Sequence, residues 1–436
     1  MTIETLVVLI SHALLAPATA IHALLFKRDP RSAFAWIVVC ILFPLVGPLF
    51  YLFFGLNRTR GRAQRMSFNL SILDIERGGA LHDREGSVGQ ETVLDKTQVN
   101  DIEHPLRQAG SALSRYELAT HAAVKPYQGG ESTYEAMFQA INQAEHHILI
   151  TTYIFDKDPT GLRFAEALAR AVQRGVSVFV LIDGVGRLYS RPPITRTLKK
   201  AGIHVGLFLR PSLIPPTLSI NMRCHHKIFI VDGTFAMTGG INLSHRHQLE
   251  AEDNKHPTND WHFQVFGDVI PQLRQEFDRL WSMTDAYQQS LPDPIDAFQT
   301  PPDNAFPVEA RVITDGPDED LDRLTMLFIA ALSQARRTVR IMTPYFLPPR
   351  ELVSAIQAAA VRGVDVTLVL PSNNNLAFVH WATQNMLWEL LFRGVHVFYQ
   401  PPPFHHGKLL VIDESYTVFG SSNWDTRSLR LNFELQ

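Results

Sequence analysis

The chain has 436 residues, enough for two or three domains at roughly 150 residues each. It carries 40 Lys and Arg against 43 Asp and Glu, a net charge of −3, and so lacks the basic excess expected of a general nucleic-acid binder. Two cysteines, Cys40 and Cys224, exclude a disulfide framework or a cysteine-built metal centre.

The excess of apolar residues sits at the N-terminus. Runs from Ile3 to Phe26 and from Ala33 to Phe54 are each near the ~20 residues needed to cross a hydrocarbon core. Lys27-Arg28-Asp29-Pro30-Arg31 separates them, and Arg58, Arg60, Arg62 and Arg65 follow. The pattern predicts a membrane anchor over residues 1–60, as two transmembrane helices or an embedded hairpin. A cleaved signal peptide fits less well, because no basic segment precedes the first run and a second run follows. Trp36 and Tyr51 lie where interface anchors belong, and Pro44, Gly47 and Pro48 predict a kink in the second helix. Both flanks are basic. The larger cluster after the second run favours a cytoplasmic catalytic domain, and a shallow hairpin with both flanks on that side satisfies both clusters. Residues 61–120 read as a polar linker with one helical piece.

From about His121 the chain repeats itself. Helical stretches 138–144 and 328–335 each lead into a β run, 148–153 and 339–345. An Ala-rich helix follows in both copies, then Arg174-Gly175-Val176 and Arg362-Gly363-Val364, and later Ala201-Gly202-Ile203 and Arg393-Gly394-Val395. Glycine stands where each helix must stop before a strand begins. Strands alternating with helices predict an α/β fold, with halves at 121–295 and 296–436 facing each other across a pseudo-twofold axis.

Each copy carries His-x-Lys-x4-Asp: His225, Lys227 and Asp232 in the first, His406, Lys408 and Asp413 in the second. On a strand, the His and Lys of each motif share a face, and the four apolar residues after Lys fit a buried strand. Glycine-rich turns follow, ending in Asn242 and Asn423, each an amide donor. One such triplet is weak, because it occurs by chance at strand edges; two at matching places in a repeat are hard to explain by packing. Phe378, Trp381 and Trp388, on a helical stretch of the second copy, read as core positions rather than lipid contacts. The stretch Arg210–Leu218 is equally well read as a lipid-guiding loop or as a packed one.

The paired motifs resemble those of the phospholipase D, or HKD, superfamily. The stretches 30–36 and 43–47 with Tyr51 and Gly55, and the segment from Gly420 to Glu434, are similar to bacterial cardiolipin synthases. The resemblance implies two phospholipase D-like α/β/α sandwich halves with mixed sheets, behind a transmembrane hairpin. It implies a phosphatidyltransferase of the bacterial inner membrane that joins two phosphatidylglycerol molecules into cardiolipin and releases glycerol. By the same resemblance His225 is the nucleophile and His406 the acid and base. Glu434 orients the histidine of copy two, with Asp260 the candidate for copy one. Lys227, Lys408, Asn242 and Asn423 are expected on the phosphate oxygens, leaving no need for a metal or other cofactor. Asp232 and Asp413 close the motifs and are expected to hold structure more than touch substrate. A lipid hydrolase of the same type is the alternative, and a nuclease or silent protein of the same fold is disfavoured by the charge balance and the intact motifs. Family members run on with a further strand and helix, so a fragment is implied at the C-terminal end.

Overall fold

The computed structural model describes residues 11–27, 29–43, 45–55, 103–210, 222–295, 300–318 and 320–436. The chain divides into two compact units, Met1–Arg65 and Met66–Gln436.

In the first unit, helices Ala16–Phe26 and Pro30–Leu42 pack together. Asp29 starts the second helix by accepting from the backbone N–H groups of Arg31 (3.1 Å) and Ser32 (3.3 Å), with Pro30 in its first turn. The contact is made through small side chains: Ala16, Ala23, Ala33 and Cys40 are buried, while Leu24, Phe26, Phe34 and Leu42 point outward. The helix ends at Leu42 and a short one resumes at Val46–Phe50, in line with the kink expected from Gly47 and Pro48. Tyr51 differs from expectation. It is buried and bonded to His22 Nδ1 at 2.8 Å, so its polar tip is used inside the unit rather than as an interface anchor. Among the described residues no helix is long and apolar enough to cross a membrane.

Among the described residues the second unit starts with the helix Glu103–Leu113, inside the expected linker. Its strands in chain order are β1 (Ala119–Gln128), β2 (His147–Thr152), β3 (Ser177–Asp183), β4 (His204–Phe208), β5 (Ile228–Val231), β6 (Phe235–Gly239), β7 (Thr258–Asn259), β8 (Trp261–Gly267) and β9 (Phe306–Ala310). There follow β10 (Thr314–Asp315), β11 (Thr338–Met342), β12 (Phe346–Leu347), β13 (Asp365–Pro371), β14 (His396–Gln400), β15 (Phe404–His405), β16 (Leu409–Ile412), β17 (Tyr416–Phe419), β18 (Trp424–Asp425) and β19 (Glu434–Leu435).

One sheet has the order β4-β3-β2-β5-β6-β8-β1-β9, the other β14-β13-β11-β16-β17. The run β4-β3-β2-β5-β6 matches the whole second sheet, with two parallel pairings and then two antiparallel ones in each. The fold is therefore α/β with mixed sheets in two similar halves. β9 lies beyond the expected division at 295/296 and still joins the first sheet, beside β1. β2 and β5 are buried throughout, as strands covered on both faces by helices must be. Helices Gly129–Gln143 and Pro159–Gln173 close the first core, and Arg323–Gln334 and Arg350–Val361 the second. Gly175, Gly202, Gly363 and Gly394 all sit at φ between +80° and +95°, which is what lets each helix stop and the next strand start at matching points of the repeat.

Candidate functional site

The two motifs meet in one cleft of about 1020 Å³, which His225, Lys227, Asn242, His406, Lys408 and Asn423 all line. His225–Lys227 and His406–Lys408 precede β5 and β16 rather than lying in them, so the motif occupies extended chain at each strand's entrance. There the backbone is free to pair with the opposite half. His225 N–H donates to Phe433 O at 2.9 Å, and Phe433 N–H to Arg223 O at 2.8 Å. His406 N–H donates to Asn259 O at 2.7 Å, beside the short parallel pairing of β15 with β7.

This pairing crosses the carboxylates. Glu434, one residue past Phe433, places Oε1 2.9 Å from His225 Nδ1. Asp260, one residue past Asn259, places Oδ2 2.7 Å from His406 Nδ1. The assignment of Glu434 to copy two and Asp260 to copy one is thus corrected: each serves the histidine of the other half. The reason is tertiary. Each carboxylate follows the glycine-rich turn of its own copy, and that stretch lies against the motif across the seam. A carboxylate on Nδ1 holds a proton there and turns the bare Nε2 toward the cleft, fixing tautomer and ring direction together.

The sequence singled out Asp232 and Asp413 beside the histidines, and both face away from the cleft. Asp232 accepts from the N–H groups of Glu145, His146 and His147 at 2.7 to 2.9 Å. Asp413 accepts from Arg336, Arg337 and Thr338 at 2.7 to 2.8 Å. Both adopt left-handed backbone, φ +50° and +51°. They clamp the loops entering β2 and β11, and none of these bonds reaches the cleft.

The cleft walls are cationic. Among the described residues Lys227, Arg246, Lys255, Lys408 and Arg427 line it against the one carboxylate of Asp425. Burial pulls Lys227 down to about 8, with Glu434 and Asp260 opposing and Lys408 adding to the fall. Lys408 is lowered as well, by burial, against the pull of Asp260. Burial and the nearby Lys408 ammonium hold His406 down to about 4, although Asp260 works the other way. For Asp260 burial favours the neutral acid, but Lys408 and His406 outweigh it and keep the carboxyl well below its usual range. Glu434 is held low in the same manner by His225, Ser421 and Lys227. Asn242 is fixed by its oxygen, which accepts from the Ile154 N–H at 3.2 Å, leaving its Nδ2 to donate. Asn423 donates to Ser428 Oγ at 3.2 Å.

Sequence reading missed the supports. Ser421 Oγ donates to Glu434 Oε2 at 2.5 Å, and Asn432 Nδ2 to Glu434 Oε1 at 3.2 Å. Gly240 is packed so closely on Asp260 that a Cβ there would lie 2.2 Å from Oδ1. The rings of Tyr153 and Tyr345 stand 4.5 and 6.0 Å from those of His225 and His406. Matching places after β2 and β11 in the repeat were the available signal for the two tyrosines.

A family model described as cardiolipin synthase, PLD-like domain, matches residues 137–281 and 328–436, more than half of the chain. The chain belongs to this cardiolipin synthase family. A second model, phospholipase D-nuclease N-terminal, matches residues 14–55. The major cardiolipin synthase ClsA of Bacillus subtilis (strain 168) is 29% identical over 94% of this chain and 84% of its own length. The cardiolipin synthase A of Pseudomonas syringae pv. syringae (strain B728a) is 31% identical over 97% and 85%. The crystal structure of phosphatidylserine synthase from Haemophilus influenzae Rd KW20 superposes with a TM-score of 0.56 at 14% identity, over 76% of this chain and 85% of that one, and so shares the fold.

Proposed function

We propose that the chain is a cardiolipin synthase acting through a phosphohistidine. One observation carries the reading: two imidazoles, each held by a carboxylate of the opposite half, face one cleft whose charged lining is almost wholly cationic. A phosphodiester is a poor electrophile with a basic leaving group, and covalent catalysis divides the displacement into two easier steps. His225 Nε2 attacks phosphorus of the first phosphatidylglycerol. The bond to the glycerol oxygen breaks, and His406 supplies the proton that releases glycerol. His406, now neutral, takes the proton from a hydroxyl of the second phosphatidylglycerol. That oxygen attacks phosphorus, and the bond to His225 breaks to give cardiolipin. The bound anionic phosphodiester counters Lys408 and raises His406 from its low value in the empty cleft, so that it can carry the proton. Lys227, Lys408, Asn242 and Asn423 meet the charge that grows on the non-bridging oxygens.

The N-terminal unit is the anchor in this reading. Among the described residues its helical stretches run Ser11–Phe26 and Pro30–Leu42, roughly 24 and 20 Å at 1.5 Å per residue, against a hydrocarbon core of about 30 Å. Their outward leucines and phenylalanines suit lipid, and a shallow hairpin with both flanks on one face fits these lengths. Mass spectrometry of the products from pure phosphatidylglycerol tests the reaction. Cardiolipin and glycerol are expected; phosphatidic acid without cardiolipin would mean that water is the acceptor, and would overturn it.

A further inference from the structure

The helix Ala377–Leu391 was expected to bury its aromatic residues, and it does the reverse. Phe378, Trp381 and Trp388 are 65, 67 and 64% exposed, and Phe392, just past the helix, 76%. Successive steps of three, seven and four residues place them on one stripe. Val379, Thr383, Leu387 and Leu390 take the inward positions, so the core of this half is already closed without the aromatics. From Ala377 to Trp388 the helix contains no Asp, Glu, Lys or Arg. The next residue, Glu389, is paired with Arg350 at 2.6 Å. The edge strand β14 adjoins the helix through Tyr399, 45% exposed, whose ring stands 6.4 Å from that of His380. A face of this kind, uncharged from Ala377 to Trp388 and met by the Arg393 guanidinium 5.5 Å from the Phe392 ring only at its end, marks an interaction site.

We propose that this helix face is a second membrane-contacting surface, which seats the rim of the cleft on the bilayer that holds the substrate. This surface rests on the lipid reading of the cleft and deepens it. Three observations choose lipid as the occupant. The face is continuous with the cleft, because Phe378 and Val379 belong to the helix and also to the cleft wall. The neighbouring lining is cationic, as an anionic headgroup requires. Exposed tryptophans suit the headgroup region, where an apolar ring meets a wet edge. A second copy seated on the face would cover Phe378 at the cleft wall, where the acyl chains must enter.

The test uses the full chain with Trp36→Phe and Trp261→Phe, to silence the tryptophan of the N-terminal unit and the half-buried one on β8, in phosphatidylglycerol vesicles with brominated acyl chains. Trp381 and Trp388 are expected to be quenched. The quenching should be lost when both are also changed to Phe, since Trp281 and Trp424 are buried. Trp381→Gln/Trp388→Gln should raise the surface KM for phosphatidylglycerol in mixed micelles and leave kcat unchanged. Quenching that persists without the two tryptophans overturns the proposal. So does a fall in mass from dimer to monomer in detergent on the glutamine substitutions, which would name a second copy as the occupant. If the two tryptophans are quenched but no cardiolipin forms, the surface stands and the synthase reading falls.

Discussion

What each imidazole can do is decided by the single carboxylate behind it. Asp260 serves His406, so Asp260→Asn is expected to act on acid–base chemistry, with a loss of cardiolipin formation of about 10²–10⁴-fold. A phosphatidyl substrate with a p-nitrophenol leaving group separates the roles. Its burst needs no acid and should survive both Asp260→Asn and His406→Ala. The burst should vanish in His225→Ala and shrink in Glu434→Gln, because Glu434 holds the nucleophile. The reverse pattern would exchange the two histidines. The pH profile has its own sign. Lys227, at about 8, is an ammonium below that value and loses its proton above it. kcat/KM, which reports the free enzyme, should therefore fall above about 4 as His406 loses its proton and more steeply through about 8 as Lys227 does, and Lys227→Met should remove the second limb with a loss of about 10²–10³-fold in kcat.

At the scale of the elements, Asp232 and Asp413 act as clamps rather than reagents. Each ties three backbone N–H groups at the entry to a central strand. Asp413→Ala should cost about 1–3 kcal/mol in a denaturant titration, the usual penalty for stranding buried donors, while the folded fraction keeps its kcat. Gly240 shows the opposite case, a residue with no chemistry that the site still needs. A methyl group there meets Asp260 at 2.2 Å, so Gly240→Ala should displace the carboxylate and imitate Asp260→Asn in the burst assay. The repeat made both halves legible, since helix-stopping glycines, buried strands and the two triplets recur in register. The supports were less legible. Ser421 and Asn432 are ordinary polar residues whose value comes only from standing beside Glu434.

Across the whole molecule, the seam between the halves is tied by buried charge as well as by backbone. Arg279, on the helix Ile270–Ser282 of the first half, pairs with Glu276 at 2.7 Å and Asp318 at 3.2 Å. Asp320 in turn takes Arg115 and Arg323. Removing Arg279 leaves the Glu276 carboxylate buried without its cation, so Arg279→Met should cost about 3–5 kcal/mol by thermal or chemical unfolding. Activity should fall with it, because the same seam sets the carboxylates against the histidines. For the N-terminal unit, a cysteine placed in the turn around Asp29 should be inaccessible from outside the cell if the hairpin is shallow; labelling from outside would require both helices to cross.

The α/β class, the repeat, the paired histidines, lysines and asparagines of the cleft and the family were all written in the linear chain, because periodicity, glycine punctuation and motif spacing are local properties. Three features were decided only by the folded chain. The carboxylates crossed between halves, since the motif backbones pair across the seam and not within their own copies. The loops that Asp232 and Asp413 clamp were named only in the folded chain, since left-handed backbone at the strand's far end aims each aspartate at a segment distant in the sequence. The aromatic stripe at 378–392 faced outward, since a helical period sets which residues share a face but not which face a sheet will cover.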